Sequence, residues 1–386
     1  MIRSLLALTI GVCLLQCAAG CGSSSSSGGS TTDAPYVLSG SVAIGPVTFE
    51  SGEIAHPAAA ALTDGRVFFA YRDVDASNGK YVIYDETGTA STAADPNQPA
   101  FSTSPFHVSA SVLSNGNVVL AYQQGAPGVL EVLGADGSQV VGETTFESGA
   151  TQYCSVVQAL DGTIFVFYKD FNDGGQGKFV RYQADGTRLS AADPGQPVFE
   201  TGEVLYIRAV ALLNGNVLVV YRDDDDSGRG KFAIYDSAGS LVSAANPNQP
   251  VFHNGSTRGI SASVSADGHF LIAYRDSDDS NSGKAVVYSS AGVRTSAQNP
   301  DDPVFETSVE ESSVVGLEDN RFLIAYTASG GHFVILDISG NVTQGPTSFC
   351  VSADDTPSAC LLSSGKVAVA YGLGTGSAEG RFVIIE

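Results

Sequence analysis

Four short segments of this 386-residue chain space oxygen donors as a hard cation would require: RDVDASNGK (72–80), KDFNDGGQGK (169–178), RDDDDSGRGK (222–231) and RDSDDSNSGK (275–284). Asp73 and Asp75, Asp170 and Asn172, Asp223 and Asp225, and Asp276 and Asp278 could present alternate oxygens to calcium. The ninth position of each loop, where an acid would complete such a site, is instead Tyr81, Lys178, Lys231 or Lys284. A lysine there repels the ion. The competing reading is a solvated hairpin in which flanking Arg or Lys neutralises Asp, each exposed pair worth up to about 1 kcal/mol.

A second set of residues recurs at one register, nine positions before a turn residue: His56, His107, Tyr153, Tyr206, Gly259, Glu311 and Thr356. Two positions further on stand Ala58, Ser109, Ser155, Arg208, Ser261, Ser313 and Ser358. Alternate residues of a strand share a face, so both sets are expected to line one surface. Arg208 is the outlier: a guanidinium in a row of serines is a natural anchor for a carboxylate or phosphate. His56, His107, Tyr153 and Tyr206 would surround it. The alternative is an internal salt bridge from Arg208 to Glu311 or Glu310. The serines themselves read as lining of a crowded, water-filled axis.

Catalytic signatures are few. Residues 36–386 contain no G-x-S-x-G elbow and no H-E-x-x-H, and the whole chain has five histidines. His56 or His107 could serve as a base, but the sequence assigns neither a nucleophile nor an orienting acid. No tryptophan is available to stack a sugar, although Tyr153 and Tyr206 could substitute.

The elements that must position these residues are repeated. Apolar runs end in tyrosine at Tyr71, Tyr122, Tyr168, Tyr221, Tyr274, Tyr326 and Tyr371, reading VFFAY, VVLAY, IFVFY, VLVVY, FLIAY, FLIAY and VAVAY. Phe49, Phe101, Phe146, Phe199, Phe252, Phe305 and Phe349 keep the same period. In the fourth repeat, Ile207–Leu213 forms strand A, Asn214-Gly215-Asn216 a turn, Val217–Tyr221 strand B and Lys231–Asp236 strand C; strand D runs to Phe252. Strand B is apolar at nearly every position, as suits a strand covered on both faces. Pro-containing outer segments such as ADPNQPAF and ADPGQPVF belong on an edge, because Pro donates no hydrogen bond.

Short strands repeated at about 40–50 residues resemble the blades of a β-propeller. The resemblance implies an all-β, seven-bladed propeller of four-stranded antiparallel blades over residues 36–386. Its central channel would be lined by the A strands, and its D–A and B–C loops would share one top face. The last repeat ends at Arg381–Glu386 after three strands. Ser39–Phe49 (SGSVAIGPVTF) matches the D strand Ser339–Phe349 (SGNVTQGPTSF) and is expected to close the ring. The B-strand tyrosines read as packing between blades, their hydroxyls reaching toward the loop side. Integrin-like propellers carry DxDxDG calcium loops, but between other strands and with a closing acid.

Formal net charge is −22, which disfavours nucleic acid and anionic lipid headgroups as partners. Residues 1–20 read as a leader: Arg3, then an apolar stretch Leu5–Leu15 too short to span a bilayer. Ala18-Ala19-Gly20-Cys21 resembles a bacterial lipobox, which implies lipidation of Cys21. The departure from that family is Ala18, where Leu is usual, and an ordinary secretory leader cut nearby is the alternative. A Ser/Gly-rich tether over 21–35 follows. With no Asp after Cys21, the resemblance implies an outer-membrane location. Cys350 and Cys360 are close enough in sequence to bridge, but the repeat places one inside a strand and the other past the preceding blade's outer edge. The functional expectation is a lipid-anchored binding module for a protein, a glycan or a small anionic ligand. The alternatives are a glycan hydrolase or lyase working at the top face, and a calcium-stabilised adhesin.

Overall fold

A computed structural model describes residues 36–246, 248–297, 302–353, 356–373 and 379–386. The leader, Cys21 and the whole of the tether lie outside the described residues. The described residues form seven four-stranded antiparallel units, the first six built in chain order from an inner to an outer strand. The first comprises Ile54–Ala61, Val67–Asp73, Asn78–Tyr84 and Ala100–Thr103. The outer strand of the third blade and the inner strand of the fourth are one run, Val198–Ala211, so these two blades share a continuous sheet.

The seventh blade consists of Ser358–Leu361, Val367–Gly372 and Gly380–Ile385, with Val42–Glu50 as its outer strand. Val42 pairs with Ile385 and Glu50 with Gly380, so the ring closes by joining the two ends of the β domain. Backbone bonds from Gly40 N to Glu386 O (2.7 Å) and from Glu386 N to Ser41 O (2.9 Å) extend the seam. This is a propeller, with the closure expected from the Ser39–Phe49 match.

Burial explains the composition of the second strands. Val67, Phe68, Phe69, Ala70 and Tyr71 are all fully buried, because a neighbouring blade covers each face. One apolar cluster packs Phe69 and Tyr71 of the first blade on Ala368 and Phe382 of the seventh. The repeated tyrosines lie in these seams. Tyr71, Tyr168 and Tyr221 donate to Glu50, Glu147 and Glu200 at 3.1, 3.2 and 3.2 Å, each carboxylate coming from the preceding blade's outer strand. Burial and the facing carboxylates push these phenols far up in pKa, so they act as fixed donors. Cys350 and Cys360 are both free thiols.

Hydrogen bonds also latch the inner strands to one another. Ser109, Ser155, Ser261, Ser313 and Ser358 accept, through Oγ, the backbone N–H of Val156, Ala209, Val314, Ala359 and Ala59 on the next blade, at 2.9–3.0 Å. The serines are therefore structural connectors around the axis, a role that the sequence reading did not assign to them. The same position is Ala58 in the first blade and Arg208 in the fourth, and neither side chain can accept this bond.

Candidate ligand site at the channel mouth

The inner strands of the first five blades each carry an extra residue near the mouth. Pairing shifts between Ala55 and Ala58, Phe106 and Ser109, Gln152 and Ser155, Leu205 and Arg208, and Arg258 and Ser261. Inside these bulges His56, His107, Tyr153, Tyr206 and Gly259 adopt left-handed backbone, with φ of 51–53°. Glycine takes this conformation freely. For His and Tyr it is strained, at a cost of order 1–3 kcal/mol each, and bulges of this kind re-aim side chains. Simple strand alternation between positions 56 and 58, or 206 and 208, is therefore broken.

The re-aimed rings form an arc. Ring centroids are 5.0 Å apart for His56–His107, 4.8 Å for His107–Tyr153 and 5.5 Å for Tyr153–Tyr206. All four are half-buried, so each keeps part of its surface exposed. At Gly259 the arc stops. A Cβ there would meet Glu311 Oε2 and the Glu310 carbonyl at 3.1 Å, so the Glu311 carboxylate occupies the ground a fifth ring would need.

Arg208 lies within this group. Its Nη1 donates to its own Ile207 carbonyl at 2.9 Å. Among the described residues no ion pair joins it to Glu310 or Glu311, so the internal salt bridge that was the alternative does not form. Burial lowers the Arg208 pKa, with the charges of Glu311 and Tyr153 opposing. Burial also raises Glu311, with Arg208 the first influence against it. His56 is depressed to about 4 by burial, then by Arg72 and Arg208. His107 is depressed to about 3 by burial, then by His56, Arg208 and Lys169. Both imidazoles are consequently neutral near pH 7, each with one N–H donor and one acceptor.

The acidic loops are built differently from a calcium site. Lys178, Lys231 and Lys284 fold their ammonium groups onto Asp170, Asp223 and Asp276 at 2.7–2.8 Å. Each reaches a second aspartate, Asp173, Asp226 or Asp279, at 2.8–2.9 Å. In the first blade Lys80 bridges Asp73 and Glu50 at 2.6 and 2.9 Å. Burial works against these lysine charges, yet the bonded carboxylates outweigh it and raise each pKa. Asp225 and Asp278 accept from the backbone N–H of Glu203 and Ser256 at 3.1 and 2.9 Å, while Asp75 and Asn172 lie against Gly52 and Gly149. In each loop a lysine thus holds the first aspartate where the ion was expected. Among the described residues no three His, Cys, Asp or Glu side chains are grouped to hold a metal ion.

Sequence reasoning missed several residues around the mouth. Arg72 lies over the Phe106 ring, 4.0 Å from its centroid. Phe171 is 56% exposed on a top-face loop, with the Lys169 ammonium 5.6 Å from its ring. The signal available was the position directly after each B-strand tyrosine, which is Arg72, Gln123, Lys169, Arg222, Arg275, Thr327 and Gly372.

No protein-family model and no curated protein sequence matches this chain. Solved structures share its fold. A lectin from Burkholderia pseudomallei superposes with a TM-score of 0.61 at 12% identity, covering 87% of this chain and 99% of the lectin. Hydrazine synthase of Kuenenia stuttgartiensis gives 0.62 at 10% identity, covering 86% and 96%. A polysaccharide lyase, an ulvan lyase bound to -[GlcA(1-4)Rha3S]-, gives 0.57 at 11% identity, covering 88% and 96%. At these identities the likeness is one of fold, and fold leaves function to the site.

Proposed function

We propose that this propeller is a binding module whose channel mouth takes a carboxylate- or sulfate-bearing ligand, most simply an acidic saccharide. The observation that carries the reading is Arg208. It stands where five other blades place a latch serine, so the fourth blade forgoes an inter-blade bond to put a guanidinium in the channel. That guanidinium has no carboxylate partner among the described residues. An external anion would supply the missing partner through two parallel N–H···O bonds. The His–Tyr arc beside it offers flat, half-exposed faces on which a sugar ring can rest, and Glu311 can accept a sugar hydroxyl. A lectin and a glycan-cleaving enzyme among the fold neighbours are in keeping with this use of the mouth.

The test is Arg208→Ser, measured with galacturonate oligosaccharides by titration calorimetry and with thermal melts. Serine restores the latch to Ala262 N–H, so the variant should melt at or above the wild-type temperature while binding falls at least about tenfold. Equal binding by the variant would remove the proposal.

One observation favours catalysis as a second reading. Neutral His107 touches Tyr153, and Arg208 acts electrostatically on both. A base, a phenol and a carboxylate-neutralising cation are together what β-elimination of a uronate requires. Incubating the same oligosaccharides with the protein and finding no unsaturated product would remove it. We further propose that lipid on Cys21 and the tether hold the propeller at a membrane. The mass of the mature N-terminal peptide checks this.

A further inference from the structure

The position after each B-strand tyrosine carries four cations, and three of them are engaged. Lys169 pairs with Glu203 at 2.5 Å. Arg222 pairs with Asp224 at 2.5 Å and donates to the Thr257 carbonyl at 3.2 Å. Arg275 donates through Nη1 to the Glu310 carbonyl at 3.5 Å, while its Nε, like that of Arg72, is buried without a partner. Arg72 makes no side-chain hydrogen bond or ion pair among the described residues. Its Nε is buried without a hydrogen-bond partner, and its guanidinium is held over the Phe106 ring. A cation–π contact of this kind fixes the group in place without neutralising it. Neither Arg72 nor Arg208 has a carboxylate within ion-pair distance among the described residues, and an unpaired guanidinium set among rings is free to take an external anion.

Both act on one histidine. His56 feels the charge of both Arg72 and Arg208, and its ring bridges Phe106, beneath Arg72, to His107 in the arc, at 6.2 and 5.0 Å. We propose that the mouth is a two-point site for a dianion, with one anionic group on Arg208 and the second on Arg72. The uncharged middle of the ligand then crosses His56 and His107, whose N–H groups can donate to it. The class this fits is a short dicarboxylate or two adjacent units of an acidic saccharide, and a monoanion would leave Arg72 unpaired. This rests on the reading of Arg208 as an anion anchor and adds a length and charge requirement to it.

The experiment uses galacturonate and digalacturonate, together with butyrate, hexanoate, glutarate and adipate, on the wild type, Arg72→Gln and Arg208→Ser. Far-ultraviolet dichroism confirms that each variant is folded. The wild type should bind a dianion at least about tenfold more tightly than the matched monoanion. Arg72→Gln should abolish that advantage and leave monoanion affinity within about twofold, while Arg208→Ser should weaken both classes. A dianion advantage that survives Arg72→Gln, or is absent from the wild type, overturns the two-point site and leaves the Arg208 anchor standing. Monoanion binding that is unaffected by Arg208→Ser, or binding of none of these probes, overturns the anchor and the two-point site together.

Discussion

Glu131 is the least expected buried charge in the molecule. It is 1% exposed at a position where the other blades carry Val82, Val180, Ala233, Val286, Val334 and Val383. Among the described residues its one hydrogen bond comes from the Tyr122 hydroxyl at 3.1 Å, and the same hydroxyl lies 3.1 Å from Glu143. Burial first, then the Glu143 charge, pushes Glu131 up to about 7 against the pull of the Tyr122 bond. Tyr81 and Glu143 are the other titratable groups that face it. A carboxyl whose folded pKa is raised contributes stability while protonated, and that stability is lost as pH rises from the unfolded value through about 7. The displacement is worth about 3 kcal/mol at most. Glu131→Gln keeps the bond to Tyr122 and removes the titration. Its stability advantage over wild type in urea melts should therefore grow between pH 5 and 8. A constant difference would show that Glu131 is already ionised at low cost. The two mouth histidines have the opposite sign: with folded pKa values of about 4 and 3, they favour the folded state less as pH falls below 6.5. Comparing variant with wild type at each pH cancels their effect. In the sequence Glu131 looks like any other strand residue, and only its neighbours make it unusual.

At the scale of the element, the B–C hairpin is held by its own lysine. Lys231 is buried and bonded to Asp223 and Asp226 at 2.7 and 2.8 Å, so removing it strands two carboxylates, one of them buried. Lys231→Met should cost about 3–5 kcal/mol, read from chemical denaturation. Wild-type melting should not shift with calcium or with chelator, since the ammonium already occupies the carboxylate oxygens. A calcium-dependent rise in midpoint would restore the cation site. The second blade shows that the device is inherited as a set: Val129 stands for the lysine, Gln124 for the aspartate and Ser102 for the outer-strand glutamate. The sequence exposes the spacing of acids and lysine, and hence the objection to calcium. That the lysine curls back into its own loop depends on strand pairing, which sets Tyr221 opposite Lys231 and brings Glu200 and Asp223 beside them.

For the whole molecule, stability depends on closure. The outer strand Val42–Glu50 supplies the edge of the last blade, contributes Phe49 to the seam with the first and sends Glu50 to Tyr71 and Lys80. Removing residues 36–50 should lower the melting midpoint by about 10 °C or more, or abolish cooperative unfolding, because an open edge appears together with the loss of Glu50 from Tyr71 and Lys80. A peptide of residues 36–50 added in trans should recover part of the loss. Unchanged melting of the truncated chain would contradict the seam. By itself the sequence determined the blade period, the strand order within each blade and the closing partner. These follow from turn chemistry and from burial on both strand faces, which write a period directly into residue order. The tertiary structure decided what the aligned residues do. A bulge turned alternate positions into an arc of strained His and Tyr, a hydrogen bond between blades made connectors of the serines, and the lack of a carboxylate at ion-pair distance among the described residues set Arg208 and Arg72 apart. Each of these depends on which side chains from different blades meet at the axis, and that is fixed only when the ring closes.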